Sequence, residues 1–515
     1  MPATNGNGHC AIPPLPNTRE IIDIQNFIGG HWQLTDEAAM LTRKSPVTNK
    51  PICRLPRSTA AELSAAIDAA KHAFPAWSSK FISHRAEYLN RLCQLIAQHR
   101  QLLADFETLD TGTVYRFNYD ENVGMSIECL RVFARFAKDQ LDRPTGRVVS
   151  TDFGLVPDQY KVRESINLTY RKPLGVVVIY TPVTIPLYHL IWKLGAALAA
   201  GNTCVCKPHP MASISPMLLS ILIKHAGIPD GVVNFVYGTD EEVSDGLGCN
   251  PDVNAISLMG STSTSPQIIV DAARTFRRVE VDFAGNNPVI VFPDADISAC
   301  AQSCVHSCFT NKGEICTCTR RIFVHRRVYS EFMAEFRSAV ESRIRIGDPF
   351  NPDTFYGPFA YPTIVDIVAD KIRLARKEGA TVEFWPHHQQ VEEGKVVVDE
   401  STARATVRGC EDSLFLVPTI ITGLKPSSAV ATDLYFAPVV SIFAFGSEDD
   451  KIDEKTEVRL IGMVNSVRRV ICAAVWTKDF ERFKRVANKL SAGYVWNNGW
   501  YLRDLSMHPG GQATR

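Results

Sequence analysis

Short apolar runs alternate with helical segments after Pro173, and this alternation constrains the fold more than any other feature of the sequence. Each run is too short for a helix and is bounded by turn residues. The predicted strands are Val176–Tyr180, Thr203–Cys206, Val232–Val236 and Ala255–Leu258, with predicted helices Pro186–Ala200, Ser215–Ala226 and Thr264–Ala273 between them. This order implies an α/β fold whose parallel sheet has right-handed helical crossovers.

A second alternating region lies closer to the C-terminus, and two further segments precede the first one. The predicted strands of the second region are Val289–Phe292, Arg321–Val324 and Val470–Val475. Residues 58–106 have a helical pattern, in which Ser83 is a predicted N-cap. Residues 148–172 are rich in β-forming residues split by turn residues, which predicts an extended ribbon.

The composition is that of an ordinary globular protein of more than one domain. The chain has 515 residues, which is enough for two large domains of roughly 150 residues or more each. Lys plus Arg equals Asp plus Glu at 55 each, so the charge balance indicates neither nucleic acid nor an anionic membrane as a partner. A small molecule is therefore the expected partner.

The sequence indicates a cytoplasmic protein with reduced thiols. Residues 1–17 have neither a basic segment nor an apolar run, so we expect a flexible tail and no secretion. The uncharged run from Gly175 to Trp192 contains two prolines, which favours buried elements over a membrane span. The fourteen cysteines include no paired zinc-type spacing, and we expect no metal site. Cys300, Cys304 and Cys308 recur every four residues, as in the buried stripe of a helix.

Two loops are candidates for chemistry on the residues alone. Residues 311–318, Asn-Lys-Gly-Glu-Ile-Cys-Thr-Cys, form a polar turn with two thiols between a predicted helix and a strand. An ordinary loop with incidental cysteines explains this spacing as well. Residues 259–263, Met-Gly-Ser-Thr-Ser, follow a strand and precede a helix, so their backbone N–H groups suit a phosphate. An ordinary helix N-cap is the alternative there.

Several segments, in order, resemble the aldehyde dehydrogenase superfamily. The matching segments are Pro173-Leu174-Gly175-Val176, Trp192-Lys193-Leu194, Ala199-Ala200-Gly201-Asn202-Thr203, Lys207-Pro208, Phe309, Asn311, Gly313-Glu314-Ile315-Cys316, Arg320 and Phe436-Ala437-Pro438. The resemblance runs from about Phe27 to the last residue. The 311–318 loop and residues 495–505 are most similar to the 2-aminomuconic and 2-hydroxymuconic semialdehyde dehydrogenase branch.

The resemblance implies an α/β subunit of three parts. A Rossmann-like domain over residues 20–145 and 172–282 would bind NAD or NADP, and an α/β catalytic domain would span residues 283–490. A β-ribbon over residues 146–171 would bridge subunits, a flexible tail would span residues 1–19, and residues 491–515 would form a shortened C-terminal segment. Relatives continue beyond that segment into a strand of the bridging sheet, so we expect a homodimer or monomer more than a tetramer.

The resemblance also assigns roles to individual residues. The Cys316 thiolate would attack an aldehyde carbon, and a thioester would remain after hydride transfer to the nicotinamide. The family's oxyanion donor is an Asn of a W-N-F-P turn, where this chain has Thr184. The family's general base is a Glu, and Asp282 occupies its place with a carboxylate about 1.5 Å shorter in reach. Glu280 lies out of register with that motif, and Cys318 is expected to be a structural neighbour.

The residues expected to bind the cofactor also depart from the family pattern. Lys207, Gly260, Ser261 and Phe436 match cofactor-binding positions of the family. Leu434 replaces a Glu that binds the nicotinamide ribose, and Pro210 replaces one that often reaches the adenine ribose. Because Lys207 remains, a 2′-phosphate could be accommodated, which leaves NAD and NADP both open.

The predicted function is NAD(P)-dependent oxidation of an aldehyde, or of a semialdehyde, to a carboxylic acid. A catalytically impaired binding or scaffold subunit is the alternative, because the oxyanion, base and ribose positions are all substituted. Esterase chemistry at Cys316 is a third possibility. Arg503 matches a position that resembles a substrate-carboxylate clamp, although a structural pairing with Asp504 explains it equally well.

Overall fold

The computed structural model describes residues 15–18, 20–36, 39–141, 145–149, 165–239, 243, 246–260, 265–385, 394–448, 452–467 and 469–502. Its strands are β1 Ile22–Asp23, β2 Asn26–Ile28, β3 His31–Gln33, β4 Met40–Lys44, β5 Pro51–Pro56, β6 Thr145–Val149, β7 Ser165–Thr169, β8 Val176–Tyr180, β9 Thr203–Lys207, β10 Val233–Phe235, β11 Ala255–Met259, β12 Arg278–Asp282, β13 Asn287–Val291, β14 Thr319–His325, β15 Thr381–Phe384, β16 Val396–Asp399, β17 Arg404–Val407, β18 Phe415–Leu416, β19 Thr419–Thr422, β20 Val439–Phe445, β21 Cys472–Trp476 and β22 Tyr494–Asn497.

The α-helices connect these strands. They are Ala60–Ser78, Ile82–Gln98, Arg100–Thr111, Tyr115–Phe117, Gly124–Phe136, Pro186–Ala199, Ile214–His225, Ser265–Arg274, Ile297–Phe309, Arg326–Arg343, Thr363–Lys377, Ala429–Thr432, Glu454–Val464 and Phe480–Ala487. Two π-helical turns, Asn118–Val123 and Ala137–Leu141, and a 3-10 turn, Thr310–Gly313, complete the helical elements.

Two seven-stranded sheets form the centre of the α/β fold. The first has the order β12-β11-β8-β9-β10-β2-β3, in which β8 to β12 run parallel and β2 and β3 are antiparallel additions. The second has the order β15-β19-β20-β14-β13-β21-β22 and is parallel apart from β15. The predicted parallel α/β architecture is therefore confirmed, and β8 has the predicted bounds.

The extended ribbon predicted around residues 148–172 is present where the chain is described. Strands β6 and β7 pair antiparallel, with Thr145 opposite Thr169 and Val149 opposite Ser165. The residues between these strands lie outside the described part of the chain. The role of the ribbon in bridging subunits, and the domain boundaries predicted above, stay predictions.

The start of the second helix corrects one expectation. That helix spans Ile82–Gln98 with Phe81 at the N-cap, so Ser83 lies inside its first turn and is not the cap. Buried Arg85 explains the difference, because its guanidinium donates to the backbone oxygens of Lys80 and Ser78 just before the helix. Arg85, a residue inside the helix, thus holds the turn that precedes the helix.

The cores of both sheets are apolar, as the sequence pattern requires. Strands β8, β9, β13 and β14 are buried along their whole length, which suits strands covered by helices on both faces. Cys300, Cys304 and Cys308 are all buried in helix Ile297–Phe309, so the predicted stripe is confirmed. Among the helices of the described residues, none is long and apolar enough to cross a membrane.

A buried carboxyl group joins three helical elements. Glu107 Oε2 accepts a hydrogen bond from Asn122 Nδ2 at 2.9 Å, and Glu107 Oε1 accepts one from the Ser215 hydroxyl. Asn122 Oδ1 in turn accepts from the backbone N–H of Tyr188, at 2.9 Å, in the first turn of helix Pro186–Ala199. Burial raises the pKa of Glu107 from 4.5 to about 8, against the opposing effect of the Ser215 hydrogen bond.

We expect this carboxyl group to make the stability of the protein depend on pH. Between about pH 4.5 and 8 the folded state binds the proton more tightly than the unfolded state, so the free energy of unfolding falls as pH rises. The stabilisation is complete below pH 4.5 and is lost as pH passes 8, with a total on the order of 5 kcal/mol. Glu107→Gln should therefore flatten the dependence of the denaturation midpoint on pH between 5 and 8.

The matched control is Glu331→Gln, which removes an exposed carboxylate from helix Arg326–Arg343. This variant should keep the wild-type slope. A Glu107→Gln variant whose midpoint follows pH as steeply as wild type would show that another group causes the dependence.

Candidate functional site

The loop over residues 311–318, called the Cys316 loop below, begins where helix Ile297–Phe309 ends. Asn311, Lys312 and Gly313 all have left-handed backbone conformations, with φ of 48°, 62° and 71°. Two consecutive non-glycine residues in this region are strained, so surrounding contacts must hold them. A Cβ at Gly313 would lie 2.5 Å from the backbone oxygen of Ala437, so only glycine permits this approach.

A buried ion pair and two hydrogen bonds hold the strained residues. Lys312 Nζ lies 3.1 Å from Glu314 Oε2, and the two side chains are 0% and 6% exposed. Lys312 Nζ also donates to the backbone oxygen of Thr111 at 3.2 Å. The hydroxyl of Thr113 donates to Asn311 Oδ1 at 2.8 Å. The loop is therefore anchored to the end of helix Arg100–Thr111 and the residues after it.

Further hydrogen bonds clamp the backbone around Cys316. Asn287 Nδ2 donates to the backbone oxygens of Cys316, at 2.8 Å, and Cys318, at 3.0 Å. The backbone N–H of Gly285 also donates to the Cys316 oxygen, at 3.3 Å. Trp500 Nε1 donates to the backbone oxygen of Thr317 at 3.0 Å. Cys316 thus has a fixed backbone, and its residue is only half-buried.

The two thiols of the loop differ in chemistry. Cys318 is fully buried, and burial raises the pKa of its thiol from 9.0 to about 11. A thiol with such a pKa supplies very little thiolate near neutral pH. Cys318 also donates to the backbone oxygen of Thr310. These observations agree with the expectation that Cys318 is a structural neighbour and leave Cys316 as the accessible thiol of the loop.

A cavity of about 550 Å³ opens beside the loop and is called the first cavity below. Its wall includes Ile315, next to Cys316, and Ile185, next to Thr184. Apolar side chains in the remaining wall come from Val114, Phe117, Met125, Tyr188, Phe355, Trp500 and Tyr501, and charged ones come from Arg116, Asp120, Glu121, Arg343 and Asp353. Its size and mixed wall suit a small organic molecule that carries polar groups.

The Thr184 turn approaches the first cavity through a strained backbone. Ile185 has a φ of 45° and stands immediately before Pro186, the first residue of helix Pro186–Ala199. His189 Nδ1 donates to the backbone oxygen of Thr184 at 2.7 Å, which fixes the turn. Thr184 itself is half-buried. The structure thus brings the Thr184 turn and the Cys316 loop to one cavity.

Asp282 faces a different cavity. Lys193 Nζ, whose side chain is 4% exposed, lies 2.8 Å from Asp282 Oδ2 and 3.0 Å from Glu280 Oε2. Both carboxylates are on β12 and point to the same face, as their spacing of two predicts. With Ser257, which also accepts from Lys193, they line a second cavity of about 440 Å³. The structure therefore does not place Asp282 in the first cavity with Ile315.

The predicted cofactor-binding residues lie at several places. Lys207 ends β9 and is buried, and Gly260 directly follows β11, so both are at the carboxyl edge of the first sheet. Phe436 lies beside Arg320, whose guanidinium carbon is 5.7 Å from the ring centroid. Ser261 lies outside the described residues, as does Arg503, the predicted carboxylate clamp.

Four residues of the site were not identified from the sequence. Asn287, Thr113 and Trp500 hold the Cys316 loop, and Lys193 binds the two carboxylates of β12. Their partners are 29 to 198 residues away along the chain. One signal was present for Asn287, since two adjacent asparagines at the start of a buried strand need buried hydrogen-bond partners.

Comparisons with known proteins agree with this architecture. Residues 32–513 match the Aldehyde dehydrogenase family. The chain is 36% identical to the 2-aminomuconic semialdehyde dehydrogenase of Danio rerio over 488 residues, which cover 95% of this chain and 92% of that protein. It is 31% identical to the 2-hydroxymuconic semialdehyde dehydrogenase of Pseudomonas sp. (strain CF600), over 95% of this chain and 94% of that protein. The NAD+ complex of an aldehyde dehydrogenase from Bacillus cereus superposes with a TM-score of 0.80 at 27% identity, covering 95% and 90% of the two chains.

Proposed function

Because the chain belongs to the aldehyde dehydrogenase family, we propose that it oxidises an aldehyde to a carboxylic acid through a thioester on Cys316, with NAD or NADP as the oxidant. The observation that carries the proposal is a half-buried thiol on a clamped backbone beside a cavity of about 550 Å³. A 2-aminomuconic or 2-hydroxymuconic semialdehyde is the substrate named for two relatives, and a semialdehyde is the narrower form of this proposal.

In the first step the Cys316 thiolate adds to the aldehyde carbon and the carbonyl π electrons move to oxygen. The hydrogen bonds from Asn287 and Gly285 hold the backbone of Cys316 in one place, which lowers the entropic cost of the attack. The Thr184 hydroxyl is the side-chain donor proposed for the oxyanion. It is shorter than an amide, so we expect weaker stabilisation of this intermediate.

The residues at the carboxyl edge of the first sheet fit a dinucleotide. Ligands of parallel α/β sheets bind at this edge, where Lys207 supplies a positive charge. Among the described residues, a Cβ at Gly260 would meet only the tip of Leu258, at 3.7 Å, which leaves room for a ligand beside the backbone. Phe436 and Ser261 are the other proposed contacts. When bound, the nicotinamide supplies the acceptor for the hydride that leaves the former aldehyde carbon.

Hydrolysis of the thioester returns the Cys316 thiol and releases the acid. A water molecule adds to the acyl carbon, the C–S bond breaks, and a base takes the water proton. Asp282 is the proposed base: its Oδ2 is bound to Lys193, and its Oδ1 has no hydrogen-bond partner among the described residues. Since Asp282 lines the second cavity, it must turn from Lys193 or act through water.

Slow hydrolysis should therefore be visible in the kinetics. We expect a burst of reduced cofactor followed by a slower steady rate, because a base misplaced by about 1 Å can cost on the order of 10²-fold. Asp282→Asn should lower the steady rate further and keep the burst, whereas the matched variant Glu280→Gln should change neither. Stopped-flow absorbance at 340 nm measures both phases. Loss of turnover in Glu280→Gln alone would transfer the role to that residue.

The function itself is tested by following cofactor reduction over a panel of aliphatic, aromatic and carboxylated aldehydes. We expect reduced NAD or NADP to form with at least one of them. An impaired binding subunit would give none at any concentration, and ester hydrolysis without cofactor reduction would indicate the esterase alternative.

A cytoplasmic location and a homodimer stay predictions, and light scattering measures the oligomeric state.

A further inference from the structure

We infer that His306 determines substrate specificity by accepting, through Nε2, a hydrogen bond from a hydroxyl or N–H group on the body of the aldehyde. This inference rests on the proposed function, because it places the aldehyde in the first cavity. His306 lines that cavity together with Ile315, the neighbour of Cys316. It lies in the last turn of helix Ile297–Phe309 and is accessible to solvent.

The hydrogen bonds of Thr310 fix the tautomer of the imidazole. Thr310 Oγ1 lies 2.6 Å from the backbone oxygen of His306 and 3.1 Å from His306 Nδ1. A hydroxyl has one hydrogen, and a carbonyl oxygen can only accept, so that hydrogen belongs to the bond with the carbonyl. Thr310 Oγ1 must then accept from Nδ1, which therefore carries the proton of the ring.

The imidazole is neutral near neutral pH, and its second nitrogen is consequently an acceptor. Partial burial lowers the pKa of His306 below 6.5, and the positive charge of Arg343 lowers it further. A neutral imidazole with its proton on Nδ1 has a lone pair on Nε2. No hydrogen bond to Nε2 is found among the described residues, so this lone pair remains for a ligand.

Aromatic neighbours fix the ring relative to the Cys316 loop. The His306 ring meets Trp500 edge to face at 5.5 Å and Phe355 at 6.4 Å, with interplanar angles of 83° and 85°. Trp500 is itself bonded to the backbone oxygen of Thr317, the residue after Cys316. His306 Nε2 is thus held in a fixed position relative to the Cys316 loop. A fixed acceptor can discriminate between substrates that have a hydrogen-bond donor there and substrates that lack one.

These features together define a substrate class. The aromatic residues of the wall suit a substrate with a planar aromatic or conjugated body. The Nε2 lone pair can accept a hydrogen bond from a donor on that body, which favours substrates that carry one. A hydroxyl or N–H group supplies such a donor. We therefore expect hydroxylated aromatic aldehydes to be preferred over the unsubstituted parent aldehyde.

The test compares kcat/KM for benzaldehyde and its three monohydroxy isomers, with full-length protein and NAD. One hydroxy isomer should exceed benzaldehyde by about fivefold, since a neutral hydrogen bond is worth about 1 kcal/mol. His306→Phe should reduce that ratio to about one. Thr310→Val should lower the ratio as well, because it removes the hydroxyl that keeps the ring proton on Nδ1. The control His99→Phe, at the end of helix Ile82–Gln98, should keep the wild-type ratio.

An unchanged ratio in His306→Phe, or no hydroxy isomer that exceeds benzaldehyde with the wild-type protein, would overturn the inference while the proposed function stood. If no aldehyde reduces the cofactor, the proposed function fails instead. The tautomer can still be measured then, by nitrogen NMR of protein labelled at its histidines. The signal that disappears in His306→Phe should show a protonated Nδ1, and a protonated Nε2 in its place would contradict the argument.

Discussion

Replacing Cys316 by Ser should abolish aldehyde oxidation, with a fall in kcat on the order of 10⁴-fold or more. The thiolate is the proposed nucleophile, and loss of a nucleophile removes the covalent pathway as a whole. An alcohol at the same position is a far weaker nucleophile because it is almost wholly protonated near neutral pH. Cofactor reduction at 340 nm with the best aldehyde of the panel measures the effect.

Two other cysteines serve as controls for this experiment. Cys318→Ser changes the buried neighbour in the same loop, and Cys249→Ser changes an exposed thiol far along the chain. Both variants should turn over within a few-fold of wild type if they fold. Brief alkylation should also label Cys316 before Cys249, because reactivity follows thiolate character as well as exposure. A Cys316→Ser variant that retains oxidation would exclude the thioester route.

Glu314→Gln should destabilise the protein by about 3 to 5 kcal/mol. The substitution leaves the ammonium of Lys312 fully buried without its carboxylate, and an uncompensated buried charge has about this cost. The double variant Lys312→Met with Glu314→Leu should recover most of the loss, because apolar pairs often replace buried ion pairs at little cost. Chemical denaturation followed by tryptophan fluorescence compares the midpoints.

An exposed ion pair provides the matched control. Arg373 and Asp370 are 76% and 66% exposed, so Asp370→Asn should cost less than about 1 kcal/mol. If Glu314→Gln lowered the free energy of unfolding as little as Asp370→Asn does, a group other than Glu314 would compensate the charge of Lys312 in the folded protein.

Much of the fold could be predicted because its strands carry a local signal. Strand β8 is an unbroken run of buried β-forming residues between turn residues, so its bounds follow from the sequence alone. The N-cap of helix Ile82–Gln98 could not be predicted in this way. There, the guanidinium of Arg85 donates to the backbone oxygen of Lys80 and stabilises the turn before the helix. The helix therefore begins after Phe81, although Ser83 has the higher local propensity for an N-cap.

The site could be predicted only where a motif lies in one segment. Residues 313–316 pointed to Cys316, but the contacts that hold the Cys316 loop come from Thr113 and Trp500, 198 and 183 residues from their partners. Asp282 was identified as a carboxylate, whereas its ion pair with Lys193 needs two segments 89 residues apart. Tertiary contacts of this range leave no periodicity or spacing in the sequence to detect.

The mass of the Cys316 peptide after mixing with substrate tests the proposed chemistry most directly. Protein is mixed with the preferred aldehyde and NAD, quenched in acid during the burst, digested and analysed by mass spectrometry. A thioester requires the peptide to gain the mass of the aldehyde minus two hydrogens, because a hydride and a proton have left. We expect this adduct on Cys316, only when NAD is present. An adduct on another cysteine, or turnover with no acyl group on Cys316 at any quench time, would contradict the mechanism.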